Sequence, residues 1–354
     1  MAKHREALFT SLCGSGSNVG DLGPSFPSLY QMAPQDSSLH LGVVQLLLHF
    51  GWTWVGLVVT NDMRGEKFLW DMGEEIRRNK ACVAFTEKIP VSERRHAESQ
   101  VDFMPRIMAS SAMVIIVHGD PDSLMILRYS QHPFFGIWKV WIITSHWDVT
   151  MKPYSHYAYP FYGALIFSHQ TSEIPGFKEF LRTITPNKYP GDIFLKSFWV
   201  SAFGCPDEPT KLERDDCSPN ASLEMLPLHY FDMPMSSLSY LLYNAVYAVA
   251  WALQEILYAK SEIETVRDEG CLVPIDVRLH SSLRNISFNN SAGDQVVLDA
   301  EKNPVANYDI MNFGALSNDV EFLVKVGQFV PHSPLGQNFT ISEKDLYQAR
   351  IDFK

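Results

Sequence analysis

The string VGLVVTNDMRGEKF, Val55 to Phe68, constrains the fold most. A β-branched apolar strand runs directly into a polar turn and then into an amphipathic helix. MVIIVHGDPDSLMIL (Met113 to Leu127) and KVWIITSHWDVT (Lys139 to Thr150) also end apolar strands in short polar turns. Strands alternating with helices predict a parallel sheet with helices on both faces, an α/β fold. In such sheets, ligands bind beyond the carboxyl ends of the strands. Function is therefore expected at the turns Thr60–Arg64, His118–Asp120 and Thr144–Asp148.

The chain has 354 residues, enough for two domains with their own cores. Apolar residues make up 46% and charged residues 19%, the balance of a globular protein. A net charge of −11 argues against a nucleic-acid partner, because phosphate binding needs a basic surface. The five cysteines fit no zinc spacing. Cys205 and Cys217 bracket the polar stretch CPDEPTKLERDDC, which has no core of its own. A disulfide staple is expected there in an oxidising compartment, against the alternative of two free thiols. Sequons at Asn220, Asn285, Asn289 and Asn338 add support for secretion. The opening MAKHREALFTSLCGSGSNVG has no apolar stretch of signal-peptide length. Ser236 to Gln254 carries no charge and approaches the ~20 residues of a membrane span. Ser, Tyr, Asn and Gln interrupt it, so a buried core helix is expected instead.

Along the chain, residues 1–25 show no period and receive no structure. Asp36-Ser37-Ser38 offers N-cap chemistry for a helix through Phe50. A strand over Thr53–Val59 follows. The helix Glu66–Asn79 then places Phe68, Met72 and Ile76 on one face. Further strands are expected at Cys82–Phe85, Ala112–Val117, Val140–Ile143 and Gly163–Phe167, with helices at Asp122–Ser130 and Phe177–Thr183. The alternation stops near Ser168. Beyond it come a helix around Tyr240–Tyr258, a strand pair near Phe288–Leu298, and strands at Tyr308–Phe313 and Glu321–Phe329. One complete α/β unit (35–168) thus precedes a second region with too few parallel-strand signals.

No G-x-G-x-x-G, Walker A, H-E-x-x-H or G-x-S-x-G string is present. His118, His146 and His156 lack metal-ligand spacing and read as hydrogen-bonded or solvated histidines; no metal or cofactor is expected. Asp36 either binds a ligand ammonium or caps a helix. Arg64 either holds a ligand carboxylate in its planar fork or is a solvated turn residue. Ser145 and His146 end a strand and are candidates for hydrogen bonding to a ligand. Lys302 either binds an anionic ligand group or is an exposed turn lysine. A hydrolase or transferase would need a nucleophile beside a base at a strand end. Ser145 with His146 is the only such pair, and neighbours on a strand point apart. No enzyme is expected.

Taken in order, FPSLYQMAPQDSSL, HFGWTWVGLVVTND, KVWIITSHWDVT, GFKEFLRTITPNKYPGDIFL and NYDIMNF resemble the extracellular ligand-binding region of class C G-protein-coupled receptors. The type 2 vomeronasal (pheromone) receptors resemble it most; calcium-sensing and metabotropic glutamate receptors are further relatives. The resemblance runs from Phe26 to the C-terminus. It implies a periplasmic-binding-protein-like Venus flytrap, two doubly wound lobes that close on a ligand. Lobe 2 would comprise 35–168 and 327–354. Lobe 1, incomplete, would comprise 26–34 and 169–326, with 1–25 an unassigned N-terminal segment.

By the same resemblance, Asp36 matches an acidic position that helps bind a ligand amino group, and Lys302 a basic position that holds a distal carboxylate. Arg64 stands where glutamate-type relatives have an aromatic residue, and Ser145 where they have an aspartate. These departures imply a ligand other than a simple amino acid. Cys205 and Cys217 match a family loop disulfide. Cys82 matches a cysteine that bridges to a cysteine-rich linker, and Cys13 and Cys271 find no pair. The implied partners are a small-molecule, peptide or protein pheromone, a receptor dimer partner, and a G protein reached only through a membrane domain absent from this chain. The implied location is the extracellular side of the cell membrane, as part of a full-length receptor. The competing expectation is a non-functional receptor fragment, whose missing strands would leave an open sheet edge and an exposed core face.

Overall fold

A computed structural model describes residues 38–90, 103–119, 139–144, 161–203, 221–228, 231–263, 275–299, 307–315, 321–331, 333–334 and 337–347. The helices are α1 (Leu39–His49), α2 (Met63–Arg78), α3 (Phe103–Ala109), α4 (Phe177–Thr183), α5 (Ile193–Phe203), α6 (Ser237–Ile263) and α7 (Ile275–Arg284). The strands are β1 (Trp54–Thr60), β2 (Cys82–Ile89), β3 (Val114–His118), β4 (Val140–Ile143), β5 (Leu165–His169), β6 (Asn285–Asn289), β7 (Gln295–Asp299), β8 (Tyr308–Ala315), β9 (Glu321–Phe329) and β10 (Phe339–Ile341). The chain divides into two units. One holds His40–His169, Pro175–Met235 and Tyr308–Lys354; the other holds Met1–Leu39, Gln170–Ile174 and Ser236–Asn307.

The first unit is built on an eight-stranded sheet of order β10-β9-β8-β5-β4-β3-β1-β2. Strands β2, β1, β3, β4 and β5 run parallel, and β8, β9 and β10 extend the sheet antiparallel. β3 and β4 are buried along their whole length, as continuous apolar runs covered on both faces should be. From β1 the chain steps outward to β2 and then back to β3, so right-handed crossovers put α2 and α3 on opposite faces. Phe103 and Ile107 of α3 pack with Val58, Ile115, Val117, Trp141, Ile143 and Ile166. Phe68, Met72 and Ile76 of α2 are buried at the expected four-residue spacing. His40 of α1 lies near Asp71, Glu75 and Arg78 of α2, and burial pushes its imidazole below the ordinary 6.5. Lys139, buried directly before β4, donates Nζ to the carbonyls of Ser110 and Ala112, both at 2.7 Å. Desolvation lowers its pKa.

Three expectations change. β2 runs on to Ile89 instead of ending at Phe85, pairing with β1 throughout across an irregularity at Val55/Gly56. The expected lobe boundary at 326/327 falls inside β9. Residues of β8 and β9 belong to the large sheet, because β8 pairs with β5 from Leu165 to His169. Residues 175–235 group with this sheet too. There Leu181, Trp199 and Leu223 make a small core of their own, and Arg182 grips Glu224 through two hydrogen bonds of 2.9 and 3.0 Å.

In the second unit, Ala245, Ala248 and Ala252 of α6 pack against Leu283, Ile286, Phe288 and Val296 of α7 and the β6–β7 hairpin. Asn290 ties the hairpin to the helix. Its Nδ2 donates to Tyr240 Oη at 2.7 Å and to Asn244 Oδ1 at 3.0 Å, while its Oδ1 accepts from the amides of Ala292 and Asp294. Tyr240 donates to Asp294, which also accepts from Ser172. Burial and then this carboxylate raise the Tyr240 pKa. The expectation that α6 is a buried core helix holds on one face only. On the other, Leu238, Leu242, Val246 and Leu257 recur at helical spacing and are exposed, Leu238 by 60% and Leu257 by 66%. Composition could not say which faces of the uncharged stretch Ser236–Gln254 have neighbours. Among the described residues, no helix is long and apolar enough to cross a membrane.

Candidate functional site

The parallel order β2-β1-β3-β4-β5 reverses direction between β1 and β3. β1 is followed by β2 on one side and β3 by β4 on the other, so the β1–β3 pair is the switch point, beyond whose carboxyl ends such sheets bind ligands. The turn after β1 is locked from three sides. Asp62 caps α2 in an extended conformation and accepts from the Gly65 amide at 2.7 Å. Thr60 Oγ1 donates to the same carboxylate at 3.1 Å, and the Asn61 amide donates to Ile89 at the end of β2 at 2.7 Å.

Two glycines let the ends of β1 and β3 and the first turn of α2 crowd together. A Cβ on Gly65 would overlap the Thr60 carbonyl oxygen and lie 3.0 Å from its carbon. Gly119 follows β3 with φ +155°, and a Cβ there would sit 2.8 Å from Thr60 Oγ1.

His118, buried at the end of β3, places Nδ1 3.0 Å from Thr144 Oγ1 beyond β4. Its ring stacks on Phe68 of α2, with centroids 4.0 Å apart and planes within 4°. It is thus a hydrogen-bonded histidine, as expected, and it fastens α2, β3 and β4 into one floor.

Arg64 stands in the first turn of α2, with 38% of its side chain exposed. Its Nε lies 3.5 Å from Asp62 Oδ2. The Nη groups take no partner among the described residues. Asp62 therefore aims the guanidinium without filling its planar fork, which remains able to receive a carboxylate or another planar anion. The nearby Glu66 carboxylate is matched by Lys88. Among the described residues, no group of three or more histidine, cysteine, aspartate or glutamate side chains is placed to hold a metal.

Of the candidate residues, Arg64 lies in the first turn of α2, just after the carboxyl end of β1. Asp36, Ser145, His146, Lys302, Cys205, Cys217 and Asn220 lie outside the described residues. Asn285 and Asn289 lie in β6, and Asn338 directly precedes β10. Cys82 is a free, exposed thiol. The roles of Thr60, Asp62, Gly65, Phe68, Gly119 and Thr144 were not singled out from the sequence. Two signals were available: an aspartate directly before a helix, and a glycine inside that helix where alanine is favoured by about 1 kcal/mol.

The mixed α/β sheet is consistent with a receptor ligand-binding region, and the chain belongs to that family: residues 14–315 match the pattern of the receptor family ligand binding region. The chain is similar to class C G-protein-coupled receptors. It is 38% identical to vomeronasal type-2 receptor 26 of Mus musculus over 327 residues, covering 90% of this chain and 37% of the relative. It is 35% identical to vomeronasal type-2 receptor 116 of Mus musculus over 327 residues, covering 92% and 38%. It is 26% identical to the extracellular calcium-sensing receptor of Homo sapiens over 356 residues, covering 91% and 32%. The chain thus spans little more than a third of the vomeronasal relatives' length. By name, all three relatives are receptors.

Proposed function

We propose that this chain is the ligand-binding region of a chemosensory, pheromone-type receptor. Ligand is captured in a Venus flytrap of two lobes, the first incomplete here. Closure signals to a membrane domain outside this chain and through it to a G protein. A ligand that binds the closed state better shifts the population toward it, and a receptor dimer carries the change onward. The observation that carries this reading is Arg64, in the first turn of α2 after β1, held at Nε by Asp62 while its Nη groups take no partner among the described residues. It supports a ligand with a carboxylate or similar anion, whether small molecule, peptide or protein. Asp36, Ser145, His146 and Lys302 are proposed as further contacts, and Cys205–Cys217 as a loop disulfide on the extracellular side.

The test is a full receptor carrying this region, expressed in cells with a calcium readout and exposed to fractionated pheromone sources. A charge-assisted hydrogen bond contributes about 1.5–3 kcal/mol. Arg64→Ala should therefore raise the half-maximal concentration roughly 10- to 100-fold, while Arg64→Lys recovers part of the loss. Small-angle scattering of the ectodomain should show compaction with an active fraction. Unchanged dimensions together with an Arg64→Ala response equal to the parent's would sink the proposal.

The exposed apolar face of α6 favours a second reading, a receptor fragment that does not signal. A 354-residue chain that is secreted and melts cooperatively as a monomer would count against it.

A further inference from the structure

The large sheet ends in two edges that are built differently. The β2 edge carries charge: Glu87 accepts from Arg106 at 2.5 and 2.7 Å, and Lys88 pairs with Glu66. Charges on an edge discourage pairing with another chain. The β10 edge is the uncharged tripeptide Phe339-Thr340-Ile341. The Val330 amide donates to Asn338 at 2.8 Å, and the Ser342 amide donates to Val326 at 2.7 Å. Residues 338, 340 and 342 therefore turn their backbone groups toward β9, and those of Phe339 and Ile341 face away from it, where no described strand pairs. The Phe339 ring lies near His49 of α1, centroids 5.8 Å apart, whereas Thr340 is exposed on the opposite face. Asn338 shares the Thr340 face by the two-residue period, and its side-chain amide bonds to no described residue.

Asn338-Phe339-Thr340 is also an N-x-T sequon. We propose that Asn338 carries an N-linked glycan and that this glycan covers the β10 edge. The donor class is an oligosaccharide on a lipid pyrophosphate. Asn338 Nδ2 attacks the anomeric carbon, a C–N bond forms and the C–O bond to pyrophosphate breaks. The lipid pyrophosphate leaves, and the amide proton passes to a base of the transferase. The sugar then projects from the face that Asn338 shares with Thr340, beside the outward-facing amides of Phe339 and Ile341. A bulky hydrated group there blocks the approach of a second strand.

The inference rests on the extracellular placement proposed above. The full chain is expressed in mammalian cells behind a secretory leader, and total lysate is probed by glycosidase mobility shift and by peptide mass spectrometry of each sequon. Asn338→Gln and Thr340→Ala should each lose one mobility step, and Thr340→Ser should keep it. Purified Thr340→Ala and the enzymatically deglycosylated parent should both show concentration-dependent self-association in sedimentation velocity, with Thr340→Ser behaving as the parent. Asn338 empty while other sequons are occupied overturns this inference alone. All four sequons empty overturns the extracellular placement with it. An occupied Asn338 whose removal leaves the sedimentation profile unchanged overturns the edge-cover role.

Discussion

The same substitution at two positions of α2 should act with opposite sign. Gly65 and Gly73 both lie inside this helix. A Cβ on Gly73 meets nothing within 4 Å, so Gly73→Ala should gain only helix propensity, about 0.8–1 kcal/mol. A Cβ on Gly65 overlaps the Thr60 carbonyl oxygen and lies 3.3 Å from Asp62 Oδ1. The obstacle is backbone, which cannot rotate aside, so the first turn of α2 must retreat from β1 by roughly an ångström. Overpacking of this kind costs about 1–3 kcal/mol. The retreat also stretches the 2.7 Å bond from the Gly65 amide to Asp62, a cap contributing about 1 kcal/mol. Set against the propensity gain, Gly65→Ala should destabilise by about 1–3 kcal/mol. Urea unfolding followed by circular dichroism would compare both variants with the parent at constant slope. Gly65→Ala should lower the midpoint and Gly73→Ala raise it. If both raise it, α2 does not press on the end of β1, and the account of how Arg64 is positioned fails.

Lys139→Met keeps the side-chain volume but leaves two carbonyls without their buried donor. A loss of about 2 kcal/mol in urea unfolding is expected, and an unchanged midpoint would show that water replaces the amine. Burial holds the folded His40 pKa below 6.5, so the unfolded chain takes up this proton first. The His40 contribution to stability is therefore complete above pH 6.5 and falls as pH drops from 6.5 toward the folded value. His40→Gln should flatten that part of the stability–pH curve; an unaltered curve would assign it to other groups. Tyr240→Phe strips a donor from Asp294 and an acceptor from Asn290, at a cost of about 1–3 kcal/mol. Hydrogen exchange should speed up in β6 and β7 while β1 and β3 keep their protection. Equal loss in all four strands would contradict a local role.

The parallel half of the sheet was readable because buried parallel strands are unbroken apolar runs, as in Val55–Thr60 and Val114–His118. The carboxyl-end site followed from that reading, since its position depends on strand order and direction. The antiparallel extension was not readable as part of the same sheet. β8 and β9 were visible as strands, but nothing local to Tyr308–Ala315 says that its partner is Leu165–His169. The lobe boundary was misplaced for this reason. Phe68 and His118 stack across 49 intervening positions, and neither carries a local mark of the other. Arg64 could be seen as a turn residue, but its aim depends on Asp62, which is itself fixed by Thr60 and Gly65.

The pairing of β5 with β8 also sets a timetable for synthesis. Leu165 lies opposite Asn312, so about 150 residues must be added before β5 gains its second neighbour. At about 5–20 residues per second, that takes roughly 7–30 s. Throughout this interval one side of β5 is an unsatisfied edge bearing Leu165 and Ile166, residues that are fully shielded in the finished fold. The chain's period of greatest risk thus falls while it is still attached to the ribosome. Conditions that slow translation between β5 and β8 should reduce the yield of native protein without altering its final stability.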